Sequence, residues 1–290
     1  MSKLAANLTL PPPTALVLIS IASTQLGSTF AKTIIQELGA ITTVLLRVGL
    51  GAIILLLIQR PQLKGYTPAN YLLLIVFGLG MAAMNLSFYA AIDRIPLGVA
   101  VTLEFVGPLG VACLNSRQFL DLFWIFLAAL GIFLLAPVTG SSLDPWGVAL
   151  ALLAAFFWGT YILLSAKVGA IFTEIRGIAL MTAALIAGTI GLLPLGVLSR
   201  SWTTLQPKFL LAGLGVAVLS SVIPYTFELE ALKKLPIRVF GVLMSLEPAI
   251  ATLLGWIILQ EQLEHRGMVA VALVTIASLG TSIGDSKEVG

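Results

Sequence analysis

Charge is scarce in this chain: Asp, Glu, Lys and Arg together make 10% of its 290 residues, against about 25% in a typical soluble domain. That excludes an ordinary soluble fold. The one cysteine, Cys113, excludes an internal disulfide and lies in an apolar run, where it reads as packing. The one histidine, His265, excludes a histidine-based metal cluster within the chain. It also excludes a His-Glu-x-x-His metalloprotease motif. No Gly-x-x-x-x-Gly-Lys-Ser/Thr is present, so a P-loop nucleotide site is excluded. The net charge of +3 is too small to speak for nucleic acid. No cofactor motif is found.

Apolar residues, by contrast, make up 59% of the chain. A helix needs about 20 of them in a row to span the hydrocarbon. Ten stretches meet that measure: 14–36, 40–59, 69–91, 96–115, 120–137, 145–166, 176–198, 207–230, 236–259 and 267–284. The expected class is therefore an all-α polytopic membrane protein. The run after the first dozen or so residues is too long for a signal-peptide core, so no cleaved leader is expected. Connectors are short and rich in charge, Gly, Pro and Ser, as near 59–68, 139–145 and 199–207.

The chain also repeats itself. Pro96, Val99, Leu103 and Pro108 recur 140 positions on as Pro236, Val239, Leu243 and Pro248. Each copy is an apolar helix opening with a proline, carrying a carboxylate mid-span and breaking at a second proline. Residues 1–138 and 145–284 thus read as two five-helix repeats around a central cavity. Basic residues in alternate connectors divide ten against five, which places both termini in the cytoplasm. Five is odd, so the second repeat is inverted relative to the first.

Ionisable groups within a span need a reason, since each costs roughly 2.5–3.5 kcal/mol on insertion scales. Arg47, Glu104 and Glu247 are the clear cases; Lys32 and Glu228 lie nearer span ends and could snorkel. Helical spacing aligns Gln25, Ser28, Thr29 and Lys32 on one face of the first span. It likewise aligns Thr43 with Arg47, Met81 with Asn85 and Tyr89, and Trp158 with Tyr161 and Ser165. Ser221, Tyr225 and Glu228 share a face, as do Phe240, Met244 and Glu247. The fifth and tenth spans lack such a stripe, so eight helices are expected to line the cavity. The outer pair then meets lipid or a second copy of the chain.

Four blocks carry a family resemblance: Thr102-Leu103-Glu104-Phe105-Val106-Gly107-Pro108-Leu109, Ile223-Pro224-Tyr225-Thr226-Phe227-Glu228, Arg238-Val239-Phe240-Gly241 and Met244-Ser245-Leu246-Glu247-Pro248-Ala249. Together they resemble the drug/metabolite transporter superfamily, EamA type, and within it the bacterial threonine/homoserine exporters. The resemblance implies a ten-helix inverted repeat, a location in the bacterial inner membrane and export of small amino acids.

A zwitterionic cargo would set its carboxylate toward Arg47 or an opened helix N-terminus, and its ammonium toward Glu104 or Glu247. The plainer reading makes these groups structural ion pairs. Gln25 and Asn85 could bond the cargo or tie helices together. Lys32 could serve the cargo or only mark the outer end of its span. Tyr89, Trp158, Tyr161 and Tyr225 could wall the site through cation–π contacts or be core. Gly107 with Pro108, Pro224 and Pro248 are expected hinges or helix breaks. A glutamate held away from water could carry a coupling proton. Other readings stay open: a different small solute or drug, a nucleotide sugar, a membrane enzyme, and a structural bundle.

Overall fold

The computed structural model describes residues 11–115, 119–135, 143–175, 177–199, 206–262 and 264–284. Every regular element among them is helical. In chain order these are α1 (Pro13–Ile58), α2 (Pro68–Ile92), α3 (Leu97–Glu104), α4 (Val106–Asn115), α5 (Phe119–Leu135) and α6 (Pro145–Ile171). They continue with α7 (Gly177–Leu198), α8 (Pro207–Ala217), a π-helical turn (Val218–Val222), α9 (Ile223–Leu232), α10 (Ile237–Met244), α11 (Glu247–Leu259) and α12 (His265–Gly284). Among the described residues, six helical stretches are long and apolar enough to cross a membrane.

The breaks follow from local chemistry. The α1 segment runs for 46 residues, about 70 Å at 1.5 Å per residue and more than twice the hydrocarbon thickness. It bends back at Gly39 (φ 75°, ψ 160°), backbone that only glycine adopts without strain. A Cβ there would meet nothing within 4 Å, so the demand is conformational and not one of space. The α2 helix starts at Pro68 behind Thr67, whose hydroxyl accepts the Asn70 N–H. The α6 helix starts at Pro145 behind Asp144, which accepts the Trp146 N–H. A proline in the first turn lacks a donor that would be unpaired there anyway.

The repeated stretch has repeated geometry. The α3 and α10 helices are each 8 residues long and start after Pro96 (φ −57°, ψ 143°) and Pro236 (φ −56°, ψ 139°). They end at Phe105 (φ −62°, ψ −15°) and Ser245 (φ −60°, ψ −13°). The turns before them also match. Arg94 and Ile95 donate to the Ala91 carbonyl, as Lys234 and Leu235 do to that of Ala231. The interruption falls at Phe105, not at the expected Gly107-Pro108. Gly107 and Pro108 occupy the first turn of α4, as Pro248 does of α11, where proline is tolerated; Pro224 lies inside the continuous stretch Pro207–Leu232, directly after its π turn.

Helices pack through small residues, the means available where lipid removes the hydrophobic drive between helices. A Cβ on Gly78 of α2 would lie 2.3 Å from the Ala184 carbonyl of α7, and one on Gly107 would lie 2.1 Å from the Ala155 carbonyl of α6. The α5 and α12 helices pair with each other; Gly131 and Gly280 let that contact close. Polar contacts gather at two ends. At one end lie Glu37 with Lys208, Arg94 with Asp144, and Lys32 with Glu261. Glu230 and Lys233 pair at the other.

Candidate functional site

A cavity of about 130 Å³ lies among the helices. From α1 it takes Thr24, Gln25, Ser28 and Arg47; from α2, Met81, Met84, Asn85 and Phe88; from α3, Val101 and Glu104. Trp158 and Tyr161 of α6 face it, with Ser220 of the π turn, Pro224, Tyr225 and Glu228 of α9, Met244 of α10 and Glu247 of α11. No α7 residue lines it, which corrects the expected eight-helix lining. The small inner face of α7, Ala184 and Gly188, is spent on backbone contact with α2. Among the described residues, none of α5 or α12 lines it either.

Arg47 is held in place by Ser220, Ser221 and Tyr89, and Tyr225 also bonds it. Its Nη2 donates to the Ser220 carbonyl (2.9 Å), Nη1 to the Tyr89 hydroxyl (3.2 Å) and Nε to Ser221 Oγ (3.4 Å). Its guanidinium carbon also stands 5.2 Å from the Tyr89 ring centroid. Tyr89 is fully buried; it does not line the cavity but supports Arg47 from behind. The π turn makes this possible, because widening the helix by one residue breaks the regular ladder and frees carbonyls. Those of Leu219 and Ser220 are taken by Ser23 Oγ (2.7 Å) and Arg47.

The same lining carries three carboxyl groups. Glu104 and Glu247 are buried, and neither makes a side-chain hydrogen bond among the described residues. No ion pair joins Arg47 to a carboxylate among the described residues. Glu228 accepts from Ser20 Oγ at 2.5 Å. It lines the cavity and does not snorkel, since α9 carries it inward beside α1. The aromatics are braced: Trp158 edge-on to Phe105 (5.0 Å between centroids) and Tyr161 stacked on Phe77 (5.2 Å). Asn85 Nδ2 donates to the Met81 carbonyl (2.8 Å). Ser28 and Glu228 were visible in the polar stripes but not singled out as site residues. Thr24, Met84, Phe88, Val101 and Ser220 carried no signal beyond their neighbours.

Lys32 is not brought to the cavity. Its Nζ donates to Glu261 Oε1 (2.6 Å) and to the Ile95 carbonyl (2.7 Å), while Glu261 Oε2 accepts the Leu97 N–H (2.8 Å). This cluster ties α1, the start of α3 and the end of α11 together. Gly98 meets Thr252 beneath it, where a Cβ would come within 2.2 Å of Oγ1. All eight residues of α3 are buried, whereas none of Val239 to Met244 in α10 is. The bundle is thus tight at the Lys32 end and looser at the other.

The EamA-like transporter profile matches residues 145–283. The threonine/homoserine exporter RhtA of Escherichia coli (strain K12) is 38% identical over 279 residues, 95% of this chain and 93% of that protein. This chain belongs to the EamA-like transporter family. RhtA of Salmonella typhimurium (strain LT2) is equally similar, 38% identical over 278 residues. A solved crystal structure shares the fold at a TM-score of 0.61 and 16% identity, covering 96% of this chain and 99% of the other. An EamA-like transporter moves a solute, and the cavity just described is the enclosed space among the described residues that gathers Arg47 with three carboxyl groups.

Proposed function

We propose that the chain is a secondary transporter exporting small neutral amino acids of the threonine and homoserine class from the cytoplasm across the bacterial inner membrane. The observation that carries this is a small cavity whose lining includes Arg47 together with Glu104 and Glu247. That arrangement complements both ends of a zwitterion: the guanidinium fork suits a carboxylate, and a carboxylate suits an ammonium. The volume of about 130 Å³ falls below the 300–1,000 Å³ of pockets for drug-sized ligands, which favours a small solute over a drug. The relatives named threonine/homoserine exporters support the cargo class.

In this reading Gln25, Asn85, Trp158, Tyr161 and Tyr225 shape the site and Tyr89 positions Arg47. The ten helices form two inverted repeats, 1–138 and 145–284, with both termini cytoplasmic. The matched turns and half-helices 140 residues apart support that arrangement. So does the segregation of polar contacts to two ends. The structure is then the conformer closed at the outer end by Lys32 and Glu261. An ion or proton gradient supplies the energy: one charge across 100 mV is worth about 2.3 kcal/mol, roughly a fifty-fold gradient of a neutral solute. The test is counterflow in proteoliposomes loaded with one unlabelled amino acid, following entry of labelled threonine. Acceleration by threonine, homoserine or serine loads, abolished in Arg47→Ala, is expected. Absence of counterflow with every amino-acid load, from folded protein, would refute the cargo.

A further inference from the structure

Serine and threonine in membrane helices usually turn the hydroxyl back onto a carbonyl one turn earlier. Thr29, Thr102, Thr182, Thr226 and Thr252 all do so, each onto the carbonyl four residues before it. Ser220 does not. Its buried Oγ has no hydrogen-bond partner among the described residues. The reason is local: Ser220 sits in the π turn, where the ladder runs to the fifth residue and the carbonyl one turn back is displaced. Neighbouring helices offer it nothing either. A Cβ on Gly27 would lie 2.0 Å from Ser220 Oγ, so the α1 backbone passes directly over the hydroxyl and brings no polar side chain to it.

Gln25 is the second case, two residues from Gly27 on the same helix. It is 2% exposed, and its Oε1 has no donor among the described residues. Among the described residues three buried side-chain atoms are unpaired in this way, and two of them belong to residues lining the central cavity. The third, on Thr275, lies in a separate groove between α11 and α12. Buried polar groups are unfavourable unless paired, so an unpaired neutral acceptor and an unpaired hydroxyl on two residues that line the same cavity mark a place completed by a ligand. The charged ends of a zwitterion already have Arg47, Glu104 and Glu247. What a neutral amide oxygen and a serine hydroxyl match is a neutral group that both donates and accepts.

We propose that Gln25 and Ser220 form the subsite that reads the side-chain hydroxyl of the cargo, Gln25 Oε1 accepting its proton and Ser220 Oγ–H donating to its oxygen. This rests on the amino-acid reading above and adds the basis of selection within it. A site built to bond a hydroxyl discriminates against an analogue lacking it, because its own polar atoms are then left unpaired. Threonine and homoserine are therefore favoured over valine and 2-aminopentanoate, which replace the hydroxyl by a methyl group.

The experiment is competition against labelled threonine counterflow in proteoliposomes, using the pairs threonine/valine and homoserine/2-aminopentanoate. Wild type, Ser220→Ala and Gln25→Leu are compared, with the melting temperature of each measured in detergent. Wild type is expected to prefer the hydroxylated member of each pair about tenfold or more. In Ser220→Ala that ratio falls at least threefold through weaker threonine and homoserine binding, with valine unchanged and the melting temperature equal or higher, since an unpaired hydroxyl has been removed. Gln25→Leu narrows the ratio in the same direction. Threonine transport with an unchanged ratio in both variants would overturn the hydroxyl subsite while leaving the amino-acid reading intact. No amino-acid counterflow in folded wild type would overturn that reading, and the subsite with it.

Discussion

Replacing Glu261 is expected to open the Lys32 end of the bundle. Its carboxylate serves two donors at once, Lys32 Nζ at 2.6 Å and the Leu97 N–H at 2.8 Å. Glu261→Ala strands both. The Leu97 N–H, first of α3, loses its acceptor, worth about 1–3 kcal/mol when buried. Breaking a fully buried ion pair costs about 3–5 kcal/mol. Here the side chains remain 17% and 14% exposed, and Lys32 keeps the Ile95 carbonyl. A combined figure of about 2–4 kcal/mol follows after that discount. Because these bonds join α1, α3 and α11 at one end, the loss falls on the closed conformer. It shifts the opening equilibrium about 30- to 700-fold. Glu261→Gln keeps an acceptor for Leu97 and loses only the charge, so its shift is smaller by about a factor of ten.

The assay places a cysteine at Val101, 2% exposed on the cavity wall, in a Cys113→Ser background. Labelling by an impermeant maleimide added from the Lys32 side reports opening of that end. Labelling is expected to rise in the order wild type, Glu261→Gln, Glu261→Ala. Equal rates in all three would refute the reasoning, because the cluster would then hold nothing closed.

Gly78→Ala and Gly80→Ala separate close packing from helix propensity. The first drives a methyl to 2.3 Å from the Ala184 carbonyl, while the second meets nothing within 4 Å. Gly78→Ala should destabilise by about 1–3 kcal/mol and Gly80→Ala should stabilise by up to about 1 kcal/mol, read by unfolding in micelles. Arg47→Lys removes the planar fork that reaches Ser220, Ser221 and Tyr89 together. The half-saturating threonine concentration is expected to rise about tenfold or more, with folding retained. Glu104→Gln should flatten the pH dependence of transport if that residue carries the coupling proton; an unaltered profile removes it from the role. At the exposed cap of α6, the Arg94 side chain and the Trp146 N–H hold the Asp144 carboxyl below its usual range. Its contribution is therefore present at neutral pH and lost as pH falls through the lowered value. The melting-temperature difference between wild type and Asp144→Asn should shrink on acidification.

Helix edges were legible because apolar length and proline mark them strongly: 69–91 became Pro68–Ile92 and 145–166 began at Pro145. The stripes were legible too, since a period of 3.6 brings Gln25, Asn85, Glu104 and Tyr225 to one space. Three things were not. Lys32 continues the Gln25 stripe by spacing, but one further turn carries it to the connector bearing Glu261, and connectors have no period to read. Glu228 was judged by its distance from the helix end, whereas its position depends on the π turn ahead of it. Tyr89 follows Asn85 by one turn yet stands behind Arg47, because a stripe gives direction without depth.

The asymmetry between the two ends has a sequence basis that position-by-position repetition conceals. The α3 and α10 backbones agree to within a few degrees at both caps, so their different burial comes from contacts and not from conformation. Closure of α3 relies on Gly98 letting Thr252 approach to where a Cβ would stand, and on the Leu97 N–H reaching Glu261. The position 140 residues after Gly98 is Arg238, and the position 140 residues before Thr252 is Ala112. The repeat therefore does not carry the glycine and threonine of this contact into its second copy. Gly98→Ala, whose added Cβ would lie 2.2 Å from Thr252 Oγ1, should loosen the packing of α3 on α11 and raise Val101→Cys labelling from the Lys32 side. Unchanged labelling would show that this close approach does not hold the Lys32 end together.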